Sequence, residues 1–318
     1  YAVVLVSIFV LLIVDLFYVD RLITHPEVGW KSNEYRIISQ RREAEELLKS
    51  DPMIDFLKED KSFFRIFPAP YAPINRWTYS TFPFSDNRFM AFRIFSLGGY
   101  HAAKLKVYQD VLDVMFESFR GRRIPQGILN MLNAKYIVSY SPIFKENESY
   151  PLVFNRDNFY VYKNVGALPR VFLVDRYRVM DEEAALREIT SNSFDPSKEV
   201  LLTSRPSLEP VSKEGSTIRI TNYSLNSIEM EASIASPCIA VVSEIFYPEW
   251  KLLVDGVQKD ILRADYCLRA IELEPGKHSI QFRFSSSVIK SSFIASITTF
   301  SLLILLALFS HLFIYRRV

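Results

Sequence analysis

Between Tyr71 and His101 the chain carries Arg76, Trp77, Tyr79, Asp86, Asn87, Arg88, Arg93, Tyr100 and His101, with aromatic rings interleaved among guanidinium, carboxyl and amide groups. Ring faces cover apolar patches of a ligand, and guanidinium forks pair with phosphate through two hydrogen bonds, so this mixture suits a carbohydrate or a lipid-phosphate headgroup. A surface loop whose Tyr and Phe pack back onto the fold accounts for the same residues. His101 titrates in the range of a general acid or base, and it equally suits a helix start where it satisfies backbone groups. Glu244, Tyr247, Trp250 and Asp255 form a second set on strand-like runs around a turn, either a corner of a β-fold or a binding edge.

Other chemistries lack their residues. The sequence has no P-loop, no G-x-G-x-x-G, no G-x-S-x-G, no H-E-x-x-H and no Asp-x-Asp pair that could hold a divalent ion against sugar phosphates. Four His and two Cys, all scattered, supply no obvious metal cage, so no metal site is assigned and no cofactor is identified from the residues. Cys238 and Cys267 allow one disulfide in an oxidising compartment or two buried thiols. The acidic triplet Asp181-Glu182-Glu183 opens a helix-like run, where carboxylates stabilise the helix start.

The elements around these residues begin and end in apolar runs. Ala2 to Val19 contains one charge, Asp15, and is just long enough to cross a bilayer; Phe293 to Tyr315 has His311 as its only ionisable group besides the terminal Tyr315 and is followed by Arg316 and Arg317. That basic pair predicts a cytoplasmic C-terminus, with Asp20 to about Lys290 outside the membrane. Asp15 and His311 fit interfacial positions, or functional ones. The chain starts at Tyr1 without a basic leader, so a longer or processed parent protein is expected. The 318 residues, with 49% hydrophobic and 14% aromatic content, are enough for a large core. A charge of +2 from 38 basic and 36 acidic residues gives no field to recruit nucleic acid.

Inside these ends, Ser39 to Leu57 has the spacing of amphipathic helices, with Pro52 placed to start the second. SFFRIF, KYIVSYS, FYVYKN and RVFLVDRY read as strands, and Leu105 to Phe116 as one face of a helix after Gly98-Gly99. From about Ser216 the texture becomes short alternating runs parted by Asn, Pro and Gly, the pattern of a β-sandwich of Ig-like or jelly-roll type. The expected fold is therefore an α+β extracytoplasmic domain followed by a β-sandwich, flanked by N- and C-terminal transmembrane helices. Its boundaries are 1–19 membrane, 20–205 mixed α/β, 206–290 sandwich, 291–315 membrane and 316–318 tail.

Six phrases in order, GGYHAAKLKVY (98–108), LNMLNAKYIV (129–138), LPRVFLVD (168–175), FDPSKEVLL (194–202), SEIFYPEWKLLVDG (243–256) and EPGKHSIQF (274–282), resemble the C-terminal region of the YfhO family of bacterial multi-pass membrane proteins. The resemblance runs from about residue 60 to the last helix and marks Tyr247, Trp250, Asp255 and His278 as motif positions. Two departures stand out: the family's Tyr-Pro-Gly-Trp is Tyr247-Pro248-Glu249-Trp250 here, and its His-Pro-Ala-Lys is His101-Ala102-Ala103-Lys104. The resemblance implies a C-type glycosyltransferase in the cytoplasmic membrane. Such an enzyme moves sugar from a polyprenyl-phosphate donor to a cell-envelope glycan or lipid, with its catalytic acid in a helical bundle upstream of these residues. The competing reading is a two-span anchored scaffold that binds carbohydrate or protein without catalysis; a self-contained hydrolase built on His101 is a third.

Overall fold

The computed structural model describes residues 2–24, 49–69, 87–99, 104–120 and 124–315. It divides into two compact units, one made of the terminal segments Tyr1–Lys49 and Ser286–Val318 and the other spanning Ser50–Ser285.

The terminal unit contains α1 (Ala2–Thr24) and, at the other end of the chain, a helix of 29 residues, Ser287–Tyr315. Ser286 starts the latter by accepting the Ile289 N–H on its hydroxyl at 3.1 Å. Its segment Ser287–Phe309, 23 residues of mean hydropathy 2.3, is long and apolar enough to cross a bilayer. Phe293 and Leu306 are each 66% exposed, a surface that suits lipid rather than water. In α1 the comparable apolar stretch among the described side chains is shorter, Phe9–Val19, and contains the exposed Asp15. The His311 side chain, residues 316–318 and the helix expected from Ser39 lie outside the description, the last of these as far as residue 48.

In the second unit, Asp51 accepts the Ile54 N–H at 2.8 Å and Pro52 opens α2 (Pro52–Glu59), as the sequence predicts. Its Met53, Ile54 and Leu57 pack on Phe64, Ile66, Phe89 and Tyr136. The first sheet has the order β2-β1-β3-β5-β4, from β1 (Arg65–Pro68), β2 (Phe95–Ser96), β3 (Ala134–Ser139), β4 (Leu152–Arg156) and β5 (Phe159–Lys163). β1 lies parallel to both its neighbours, and β5 is antiparallel to both of its own. Helices α3 (Arg88–Ala91), α4 (Lys106–Arg120) and α5 (Gln126–Met131) provide the connections.

The second sheet holds six strands in the order β6-β11-β15-β14-β8-β7: β6 (Val171–Val174), β7 (Tyr177–Val179), β8 (Val200–Leu202), β11 (Cys238–Val242), β14 (Leu262–Ala264) and β15 (Leu268–Leu273). β7 and β8 are parallel, with α6 (Glu182–Glu188) between them in sequence. Asp181 caps α6 by accepting the Ala184 N–H at 2.7 Å, and Glu182 and Glu183 occupy its first turn, so the acidic triplet serves the helix. The third sheet is fully antiparallel, β13-β12-β16-β10-β9, from β9 (Thr217–Ser224), β10 (Ser227–Ile234), β12 (Trp250–Val254), β13 (Val257–Lys259) and β16 (Gly276–Phe284).

Every residue of β11, CIAVV, is buried because the six-stranded sheet is covered on both faces. Cys238, Ala240 and Val242 share a core with Ile228, Met230, Leu252 and Phe282 of the third sheet. Ile239 and Val241 instead join the core formed with Met115, Leu129 and Phe67. The boundary read at 205/206 is corrected by this arrangement: β6, β7 and β8 precede it, β11, β14 and β15 follow it, and all six belong to one sheet. Ser50–Ser285 is accordingly one compact unit. Cys238 and Cys267 are separate buried thiols, whose pKa burial pushes up to about 11 and about 12.

Candidate functional site

Arg170 stands at the start of the buried run of β6 and is 3% exposed. Its guanidinium lies over the rings of Phe63 (4.4 Å), Phe95 (5.0 Å) and Tyr223 (6.0 Å), and its Nη1 is 3.5 Å from Glu244 Oε1. The same oxygen accepts from Arg65 Nη2 and from the Tyr223 hydroxyl, each at 3.1 Å. Arg65 Nη1 also donates to Ser243 Oγ at 2.9 Å and to the Leu132 carbonyl at 3.1 Å. Nearby, Arg269 donates to the Ile245 carbonyl at 3.0 Å and lies 4.1 Å from the Trp250 ring. Burial lowers Arg170 and Arg269 to about 10, against the pull of Glu244, so both remain cations at neutral pH. Nε, Nη1 and Nη2 of Arg170 and Nη1 of Arg269 make no hydrogen bond. Three guanidinium groups thus gather about one carboxylate and leave an excess of positive charge.

Beside this cluster lies a groove of about 670 Å³. Its walls are Asn133 and Lys135 at the start of β3, Lys163 at the end of β5 with the loop that follows, and Ile218 to Tyr223 of β9. Lys135, Lys163, Arg170 and Arg219 line it, and none of the described lining residues is acidic. Lys135 Nζ is engaged by Asp60 at 2.5 Å and Ser62 at 2.8 Å, and Arg219 by Glu231 at 2.6 Å. Burial alone would raise the pKa of Asp60, but hydrogen bonds from Lys135, Ser62 and Tyr136 outweigh it and hold the group well below the usual carboxylate range. Lys163 is exposed. Asn133 adopts φ +59°, donates to the Leu168 carbonyl at 2.8 Å and keeps a buried Oδ1 without a donor. Cationic groups, spare amide capacity and ring faces in one groove can hold an anionic group attached to a polyol or an isoprenoid.

A second cleft, about 540 Å³, has almost no charge. The amides of Gln126, Asn130 and Asn192, the hydroxyls of Thr190 and Ser191, and Phe194 line it. On its wall, a Cβ at Gly166 would stand 2.8 Å from Asn130 Nδ2, so Asn130 would have to shift to admit any other residue there. Its one carboxylate, Asp195, is held below its usual pKa because bonds from Ser197 and Lys198 outweigh burial.

The structure divides the residues the sequence singled out. Arg76, Trp77, Tyr79, Asp86, Tyr100 and His101 lie outside the described residues. Arg88 is a fastener, pairing with Asp51 at 2.7 Å and lying 5.8 Å from the Phe92 ring. Arg93 is exposed at φ +59° after α3. Tyr247 and Trp250 flank Phe284, with centroids at 6.2 and 5.5 Å, at the start of β12. Asp255 and His278 sit at the opposite end of that strand, which separates them from the aromatic pair. His278 Nδ1 is 2.7 Å from Asp255 and Nε2 is 2.8 Å from the Glu274 carbonyl, so neither ring nitrogen is left for a substrate. Burial would lower the pKa of His278, but these two bonds raise it. Among the described residues no group of three or more His, Cys, Asp or Glu could hold a metal ion. The sequence reading missed Arg65, Arg170 and Arg269; the available signal was an Arg inside each of the strand-like runs SFFRIF, LPRVFLVD and YCLRAIEL. Comparison with family models, with characterised proteins and with solved structures returns no match.

Proposed function

We propose that this chain is the extracytoplasmic C-terminal portion of a multi-pass bacterial membrane protein resembling the YfhO family. In this reading it assists transfer of sugar from a polyprenyl-phosphate donor to a cell-envelope glycan or lipid. The basic groove carries the reading: it runs along β9 to Tyr223, two residues from the Leu225–Asn226 turn whose Asn226 carbonyl bonds Phe284, three residues before the membrane-length helix begins. A phosphate tethered to a bilayer by an isoprenoid would meet cations there. On this view α1 and the C-terminal helix are both spans, the basic Arg316-Arg317 tail is cytoplasmic, and the antiparallel sheet faces the six-stranded one as a β-sandwich. The catalytic acid belongs to an upstream helical bundle, and the described groups here position the donor or acceptor.

The test is transfer of labelled sugar from polyprenyl-phosphate donors to envelope acceptors in membranes holding the full-length protein. Transfer that falls at least tenfold in Lys163→Glu/Arg219→Glu supports the proposal; no transfer by the unaltered protein rejects it. The amide- and hydroxyl-lined cleft, with Asp195 as its one carboxylate, favours a second reading, a tethered glycan-binding scaffold without catalysis. Retention of neutral glycans on an array, abolished by Asn130→Leu with donor transfer absent, would select that reading.

A further inference from the structure

The route by which the chain leaves its folded domain identifies a surface. The Phe284 N–H donates to the Asn226 carbonyl at 2.9 Å, and the Ser285 N–H donates to the Glu249 carbonyl at 3.1 Å. The exit therefore lies between the β9–β10 turn and the Tyr247–Trp250 segment. Ser287 then opens the helix long enough to span a bilayer. Two residues, Ser285 and Ser286, separate Phe284 from the start of that helix in the chain.

The edge has an unusual surface for water. Leu225 occupies the hairpin turn, where Asn and Gly are preferred, and is 94% exposed; Tyr247 is 41% exposed. Tyr247, Trp250 and Phe284 form a partly exposed aromatic group of the kind enriched at membrane–water boundaries. Lys251 and Arg283 face one another directly across β12 and β16, and both are exposed. Like charges in that register repel unless an anion lies between or over them. Glu249, partly buried in the same turn, is the carboxylate closest to them in sequence.

We propose that this edge docks on the headgroup layer of an anionic bilayer. Leu225 and Tyr247 reach the acyl boundary, and Lys251 and Arg283 take lipid phosphates. The assignment rests on reading Ser287–Phe309 as a membrane span. A headgroup layer about 5–8 Å thick per leaflet lies within the reach of the two-residue link. Each basic residue at an anionic surface adds about fivefold to partitioning at moderate salt, so the pair accounts for a composition-dependent docking equilibrium.

The full chain in nanodiscs containing 30% phosphatidylglycerol tests this, with bimane placed at Leu225→Cys, at Val257→Cys on the opposite end of the sheet, or at Phe300→Cys within the helix. Collisional quenchers are carried on lipid headgroups or mid-chain. Headgroup quenching at position 225 at least fivefold stronger than at 257, and reduced several-fold by Lys251→Glu/Arg283→Glu or by phosphatidylcholine alone, is the expected result. Equal, weak quenching at 225 and 257 with position 300 quenched mid-chain overturns docking while leaving the span intact. No mid-chain quenching at 300 overturns both.

Discussion

Glu244→Gln preserves side-chain shape but removes the negative charge shared by Arg65 and Arg170. The amide oxygen can still accept from Arg65 and Tyr223, each 3.1 Å from the native oxygen. Arg65, Arg170 and Arg269 are then left without a counter-charge in the cluster. Removing one partner of a buried pair costs about 3–5 kcal/mol. Glu244 keeps 15% of its side chain exposed, so the lower end applies, about 3 kcal/mol. For a domain of this size that corresponds to a melting temperature lower by about 6–12 °C. Differential scanning calorimetry of Glu244→Gln, Arg170→Met and the double variant measures it. The double variant should lose at least 1 kcal/mol less than the sum of the singles, because Arg170→Met removes one of the stranded cations. A loss below about 1 kcal/mol for Glu244→Gln, with strictly additive singles, would refute the view that this carboxylate neutralises the cluster.

Other groups give equally definite outcomes. Asp265 is fully buried, accepts the Leu201 N–H at 2.9 Å, and is pushed up by burial from 3.8 to about 7. Its contribution to stability is full below about 3.8 and is lost as pH rises through about 7, a span worth about 4 kcal/mol. Asp265→Asn should gain stability over the native protein at pH 8 and almost none at pH 4 in paired urea titrations; an equal gain at both contradicts the linkage. Glu249 stands at φ +72°, a conformation glycine adopts without steric cost, so Glu249→Gly should stabilise by about 0.5–1 kcal/mol in thermal melts, and a loss would dismiss backbone strain there. The raised pKa of His278 makes its contribution full below its unfolded value, 6.5, and lost as pH rises through the higher folded one. NMR titration should place the imidazole above 6.5, and His278→Gln should leave any glycosyl transfer unchanged.

Local patterns were legible where one physical cause dominates. Alternation in SIEMEASI became β10, whose inward Ile228, Met230, Ala232 and Ile234 are buried; Pro52 and Asp181 marked helix starts. Strand order was not legible, because β6, β7 and β8 join β11, β14 and β15 through contacts across more than sixty residues that no local period encodes. The candidate site was missed for a related reason. Exposed-looking Arg and Tyr clusters stand out in the sequence, whereas the structure gathers cations from the starts of β1, β6 and β15, where Phe63, Phe95 and Tyr223 cover Arg170. Of the four motif positions, the aromatic pair and the Asp255–His278 pair proved to be opposite ends of one strand, since β12 runs from Trp250 to Val254 between them.

The most direct measurement is calorimetric titration of the full chain in nanodiscs with a water-soluble short-chain isoprenyl-phosphate sugar at 50 and 200 mM salt. Saturable binding is predicted, weaker at the higher salt, at least tenfold weaker in Lys163→Glu/Arg219→Glu, and unchanged by Lys277→Glu on the exposed end of β16. Binding indifferent to the groove substitutions, or no binding at either salt, would contradict the assignment of this groove to a lipid-linked sugar phosphate.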